Sequence, residues 1–159
     1  MKKYISILLV IVAILSVCAC YDLDRYPEDK INTNTFWKTQ QHAEQGINAI
    51  YAMFQNYYIF GSYFSLDCLG EVGTGYGEHG NENISRGTYN SLDNRILNRW
   101  TYLYEGVARA NLAIQNIPKI HATDSEIATL MGEAKFLRSL FYFYLTDFFG
   151  GVPIYDEKT

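Results

Sequence analysis

Six consecutive apolar or aromatic residues, Leu140 to Leu145, sit inside a stretch whose other apolar residues recur at helical spacing. At ~3.6 residues per turn such a run covers more than a turn and a half, so apolar side chains leave the axis in every direction. A helix apolar on all sides has to be covered on all sides. The pattern predicts a helix starting at Asp124 as N-cap, with Glu126 in its first turn beside the positive end of the helix dipole. Its main stripe is Ile127, Leu130, Met131, Ala134, Leu137 and Phe141, and Gly150-Gly151 ends it, with Pro153 following.

Two earlier stretches have the same period. Ala43, Ile47, Ile50, Tyr51, Phe54 and Tyr58 fall three and four apart and predict a helix over 39–58, with Gly46 marking the close approach of another helix. Trp100, Tyr104, Val107, Asn111, Ile114 and Ile117 predict a second, from Leu92 or Asp93 to Ile117, closed by Pro118. The expected fold class is therefore all-α. Two neighbouring helices do not suffice to wrap Leu140 to Leu145. Further chain or another subunit is expected to cover that surface, and the 159-residue chain alone is expected to aggregate or fold poorly.

Residues 61–92 keep neither a helical nor a strand period. Gly70, Gly73, Gly75, Gly77 and Gly80 crowd together, followed by Asn81, Asn83 and Gly87, and the stretch reads as one long loop. It is not a phosphate cradle: no lysine occurs between Lys38 and Lys119, no strand precedes the glycines and no helix opens on them. Asp67, Glu71, Glu78, His79 and Glu82 offer oxygen and nitrogen donors, but in no ligand spacing that defines a metal loop, so no metal and no cofactor is expected. His42, His79 and His121 lack a motif-linked serine or cysteine, which leaves an enzyme unsupported. Tyr76 and Tyr89, with Asn81, Asn83 and Arg86 between them, combine flat apolar faces with hydrogen-bonding groups. A sugar ring needs both. The competing reading is a solvated loop with a tyrosine or two tucked onto the core.

The chain opens on Lys2-Lys3 and an apolar run from Ile5 to Val17. The ~20 residues that span a bilayer are not reached, whereas a signal-peptide core has this length. The run ends in Val17-Cys18-Ala19-Cys20, small residues before a cysteine, which resembles the bacterial lipobox. Residues 1–19 are thus read as a signal peptide and Cys20 as the lipidated N-terminus, against ordinary secretion as the alternative. Residues 20–34, polar and containing Pro27, read as a tether, and 35–159 as the folded body. Loss of Lys2 and Lys3 takes the 13 basic residues to 11 against 17 acidic ones, a net charge of −6. That balance excludes nucleic acid as a partner. Cys68 is left as a single thiol and is read as a small buried hydrophobe.

Three stretches resemble the SusD/RagB family of lipoproteins. The first is Cys20 to Pro27, followed by Thr35-Phe-Trp-Lys-Thr and Ala49-Ile-Tyr; the second is Trp100-Thr-Tyr-Leu-Tyr-Glu-Gly-Val-Ala-Arg-Ala-Asn. The third, and most specific, is Gly132 to Leu145 followed by Phe149-Gly-Gly-Val-Pro-Ile. The resemblance implies tetratricopeptide-like helix pairs with a loop-rich part, and a protein that is not an enzyme. It implies a lipid-anchored place on the outer membrane at the cell surface, with Asp22 and Asp24 resembling an export signal. It further implies an oligosaccharide or other nutrient as ligand, and a SusC-like TonB-dependent transporter as partner. Family members are several hundred residues long, so 35–159 is expected to be the N-terminal part of a larger helical fold, with some ligand contacts outside it. Trp100, Asn111, Arg138 and Phe141 are then scaffolding, and the loop candidates stand on their chemistry alone. The alternative function is a helical-repeat interaction module that docks a protein and binds no glycan.

Overall fold

The structure, a computed structural model, describes residues 36–62, 66–70, 72–75 and 81–159, with the backbone only at Asn81. The signal peptide, Cys20, the tether and Tyr76 lie outside the described residues. The described residues are mostly helical and include no strand, as the all-α expectation requires.

Helix α1 spans Gln40–Tyr51. Thr39, in extended backbone, caps it by accepting a hydrogen bond from His42 N, and Ala43, Ile47 and Ile50 form its buried stripe. The expected continuation to Tyr58 does not occur as α-helix. A 3-10 turn covers Ala52–Gln55, Asn56 is extended at ψ 134°, and a π-helical turn follows over Tyr57–Gly61. The Asn56 side chain accepts from Tyr58 N at 2.9 Å. That local bond offers the backbone an alternative to the helical ladder, and the helix breaks there while Met53 and Ile59 still reach the core. Gly46 is also corrected: what packs closest against it is a side chain from the segment before α1. The Trp37 ring lies there, and a Cβ at 46 would stand 2.5 Å from its Cη2.

The stretch 61–92 is not structureless. A five-residue helix, α2, spans Asn81–Ser85, anchored by the buried Ile84 and ended by Gly87 at φ +67°. Cys68 is buried, as its reading as a small hydrophobe requires.

Helix α3 spans Asn94–Asn116, capped by Asp93, whose carboxylate accepts from Arg95 N at 3.0 Å. A 3-10 turn containing Pro118 follows it. Helix α4 spans Asp124–Phe149. Its N-cap is Thr123 rather than Asp124: the Thr123 hydroxyl accepts from Glu126 N, and the Glu126 carboxylate accepts from Thr123 N at 2.8 Å. This reciprocal pair satisfies two amide groups that the first helical turn leaves without partners. The Thr123 hydroxyl also donates to the Glu126 carboxylate at 2.7 Å, and that bond, followed by the one from Thr123 N, holds the Glu126 carboxyl below its ordinary value. Gly150, at φ +76°, stops the helix, its N–H donating to Thr146 O.

The two long helices pair antiparallel. Trp100 meets Phe149, Gly106 meets Phe141, and Asn111 meets Arg138, one number falling as the other rises. Helix α1 packs across both, and Phe54 stacks on Phe141 with centroids 4.5 Å apart. Leu103, Leu137, Phe141 and Leu145 are wholly buried in the seam. Of the apolar run, Phe143 is 58% exposed, and Phe136 about two turns away on the same outer face is 60% exposed. Three helices therefore leave one side of α4 bare.

Candidate functional site

Two arrangements of chemically versatile side chains flank α3. The first is a hollow of about 100 Å³ between α2, α3 and the end of α4. Leu69, Ile84, Ile96, Phe148 and Phe149 make it apolar, and Arg95 and Arg99 enter it from adjacent turns of α3. Both arginines are only 6% exposed. Arg95 donates to Tyr57 Oη at 2.5 Å and lies 4.5 Å from the Tyr57 ring centre, while Arg99 lies 4.3 Å above Phe148. Such stacking suits a planar, weakly hydrated guanidinium. Burial, followed by the neighbouring Arg95 charge, lowers the Arg99 pKa to about 10. The hydrogen bond from Arg95 holds the Tyr57 hydroxyl below its ordinary value.

Tyr89 lines this hollow and is 48% exposed. Among the described candidates, Asn83 and Arg86 do not line this hollow. Asn83 is exposed and its side chain accepts from Thr88, an arrangement that folds the turn after α2. Arg86 is exposed and paired with Glu82 at 2.6 Å. The Asn81 side chain and Tyr76 lie outside the description. Sequence reasoning missed Arg95 and Arg99, because arginines on a helix read as a solvated face; the nearby Tyr57-Tyr58 pair was the available signal.

The second arrangement clamps the segment after α4. The Tyr104 hydroxyl donates to Pro153 O at 2.7 Å, and the Asn111 amide donates to Tyr155 O at 3.0 Å. The Tyr142 hydroxyl donates to Tyr155 O and accepts from Tyr155 N at 2.6 Å. Arg138 links the set, donating to Asn111 Oδ1 at 2.8 Å and to Glu157 Oε2 at 2.5 Å. The Arg138 bond holds the Glu157 carboxyl below its ordinary value, and burial with Tyr142 and Tyr155 nearby raises the Tyr104 hydroxyl. Asn111, Arg138 and Phe141 thus act as scaffold, and Trp100 packs on Phe149 at 5.0 Å. Among the described residues no three metal-ligating side chains converge, and no helix is long and apolar enough to cross a membrane.

Comparison with known proteins places this geometry. The model of a SusD-like family described as starch-binding and associating with the outer membrane matches residues 22–159. SusD-like protein P38 of Formosa agariphila is 29% identical over 166 residues, an overlap that takes in 99% of this chain and 32% of the relative. SusD-like protein P2 of the same organism is 27% identical, with 98% and 32% covered. A crystal structure of a SusD homolog from Bacteroides thetaiotaomicron superposes with a TM-score of 0.58 at 25% identity, over 75% of this chain and 24% of that one. The chain therefore spans about a third of the length of the curated relatives it matches. It belongs to the SusD-like family, which is described as starch-binding and associating with the outer membrane.

Proposed function

We propose that this protein is a surface lipoprotein that captures a glycan and passes it to a SusC-like TonB-dependent transporter. Residues 1–19 are its signal peptide, Cys20 carries the lipid, 20–34 are the tether and 35–159 the helical body. The observation that carries the reading is the family match across 22–159. Tyr89 supports it, since a half-exposed ring beside an apolar hollow is what the C–H face of a sugar stacks on. Tyr76, Asn81, Asn83 and Arg86 are the neighbouring candidate contacts. The hollow itself is smaller than the ~300 Å³ at which small-molecule pockets begin, so Tyr89 serves as a platform and not as an enclosing wall. No catalytic step is assigned.

The test is glycan binding by the purified chain with and without Tyr89→Ala, together with incorporation of radiolabelled palmitate with and without Cys20→Ala. Weaker binding by the first variant and loss of label in the second support the reading; glycan affinity and label unchanged in both sink it. The bare Phe136 and Phe143 face favours a second reading, an interaction module that binds no glycan. A stable complex with the transporter and no affinity for any glycan would select it.

A further inference from the structure

We propose that the groove between α3 and the clamped segment 153–157 is a second saccharide site, selective for neutral sugars; the proposal rests on the glycan-binding reading above. The groove holds about 560 Å³, within the ~300–1,000 Å³ typical of small-molecule sites. Its floor is one stripe of α3: Trp100, Tyr104, Asn111 and Gln115 stand four, seven and four residues apart and span ~22 Å at ~1.5 Å per residue. Its wall is Tyr155 to Glu157.

The aromatic part is rigid before any ligand arrives. Trp100 lies 4.9 Å from Tyr104, and Tyr104 meets Tyr155 edge-to-face at 5.7 Å. The wall is fixed by the bonds from Tyr104, Asn111, Tyr142 and Arg138 already described. A site whose parts are held in place loses little freedom on binding. Residues with hydrogen-bonding side chains line the same groove: Gln115, Tyr155 and Glu157. An aromatic corner edged by an amide, a hydroxyl and a carboxylate matches a pyranose, which has an apolar C–H face and a rim of hydroxyls. Asp156 on the wall, beside a Glu157 whose charge Arg138 offsets, repels a uronate or a sulfated sugar, and this sets the preference for neutral rings.

The test titrates the full chain with maltoheptaose, a β-linked glucan heptaose and an oligogalacturonate of similar length. Tyr155→Ala is the informative variant, because the hydrogen bonds of the clamp use the Tyr155 backbone N–H and carbonyl, and the substitution removes only the ring with its edge-to-face contact on Tyr104. Gln115→Ala is the second and Tyr89→Ala the control for the other site. The expected result is binding of a neutral heptaose that Tyr155→Ala weakens about tenfold and Gln115→Ala a few-fold, with unchanged melting temperatures. Neutral-glycan binding that depends on Tyr89 but not on Tyr155 or Gln115 overturns this proposal and leaves the proposed function standing. Preferred binding of the uronate through Tyr155 overturns the selectivity. Absence of glycan binding in the parent chain removes both readings.

Discussion

The ring of Phe141 lies directly against Gly106, filling the space where a side chain at 106 would begin. The ring is wholly buried and sandwiched on its other side by Phe54, with the two planes within 3° of parallel. The crossing of α3 and α4 is therefore set by one missing methyl group. Gly106→Ala should cost about 1–3 kcal/mol by overpacking, despite the better helix propensity of alanine. Urea unfolding checks it: a stability equal to the parent's would mean that the ring moves aside freely.

That contact also marks how far the sequence could be read. The stripes of α3 and α4 were legible because burial on one side of a helix leaves a period of ~3.6 in the residues themselves. Gly106 was not, since its role depends on a ring 35 positions later in the chain. The break at Asn56 escaped for a related reason: the apolar stripe continues through Met53 and Ile59 while a side-chain bond to Tyr58 N redirects the backbone. In the loop, Ile84 and Cys68 are buried though no periodicity announces them. Tyr89 was singled out from its chemistry as a candidate, whereas nothing in the period of α3 marked Arg95 and Arg99 as buried. The groove was invisible because Tyr155 and Glu157 meet α3 only after the chain turns back at Gly150.

The start of α4 separates two adjacent residues that look equally able to cap it. Thr123 makes the capping bonds and Asp124 is the first helical residue. Thr123→Ala should cost about 1 kcal/mol, and Thr123→Ser should restore most of it. Asp124→Ala should cost only ~0.3 kcal/mol, the scale of an exposed charge near the dipole. Thermal unfolding of the three variants decides; a larger loss at Asp124 would reverse the assignment of the cap.

The clamp on segment 153–157 predicts both a mutational and a pH effect. Asn111→Ala removes bonds to Tyr155 O and from Arg138, and should cost about 1–2 kcal/mol. The Glu157 carboxyl lies below its ordinary value of 4.5 because Arg138 donates to it. A depressed carboxylate contributes stability above the ordinary value and loses it as pH falls through the folded one. Asp156, also depressed by its bonds from Thr159 and Lys158, acts in the same window. Amide exchange at Tyr155, corrected for intrinsic rate, should therefore show protection that is flat above pH 4.5 and falls below it. In Arg138→Met the protection should be low throughout. A parent profile that stays flat through acid would show that the ion pair does not hold the segment.

The outer face of α4 makes the last prediction. Gly132, Phe136, Leu140 and Phe143 fall on one stripe at spacings of four, four and three, and the two phenylalanines are 60% and 58% exposed. Apolar rings presented in line on a helix favour association with any similar surface. The unlipidated chain, carrying Cys20→Ser, should therefore self-associate, and Phe136→Gln with Phe143→Gln should shift it to smaller species in sedimentation velocity. Glutamine keeps good helix propensity and these rings take little part in the core, so the melting temperature should hold. A parent chain that sediments as a monomer, and that loses more than about 1 kcal/mol on the double substitution, would mean the rings are packed in solution and the face is not open.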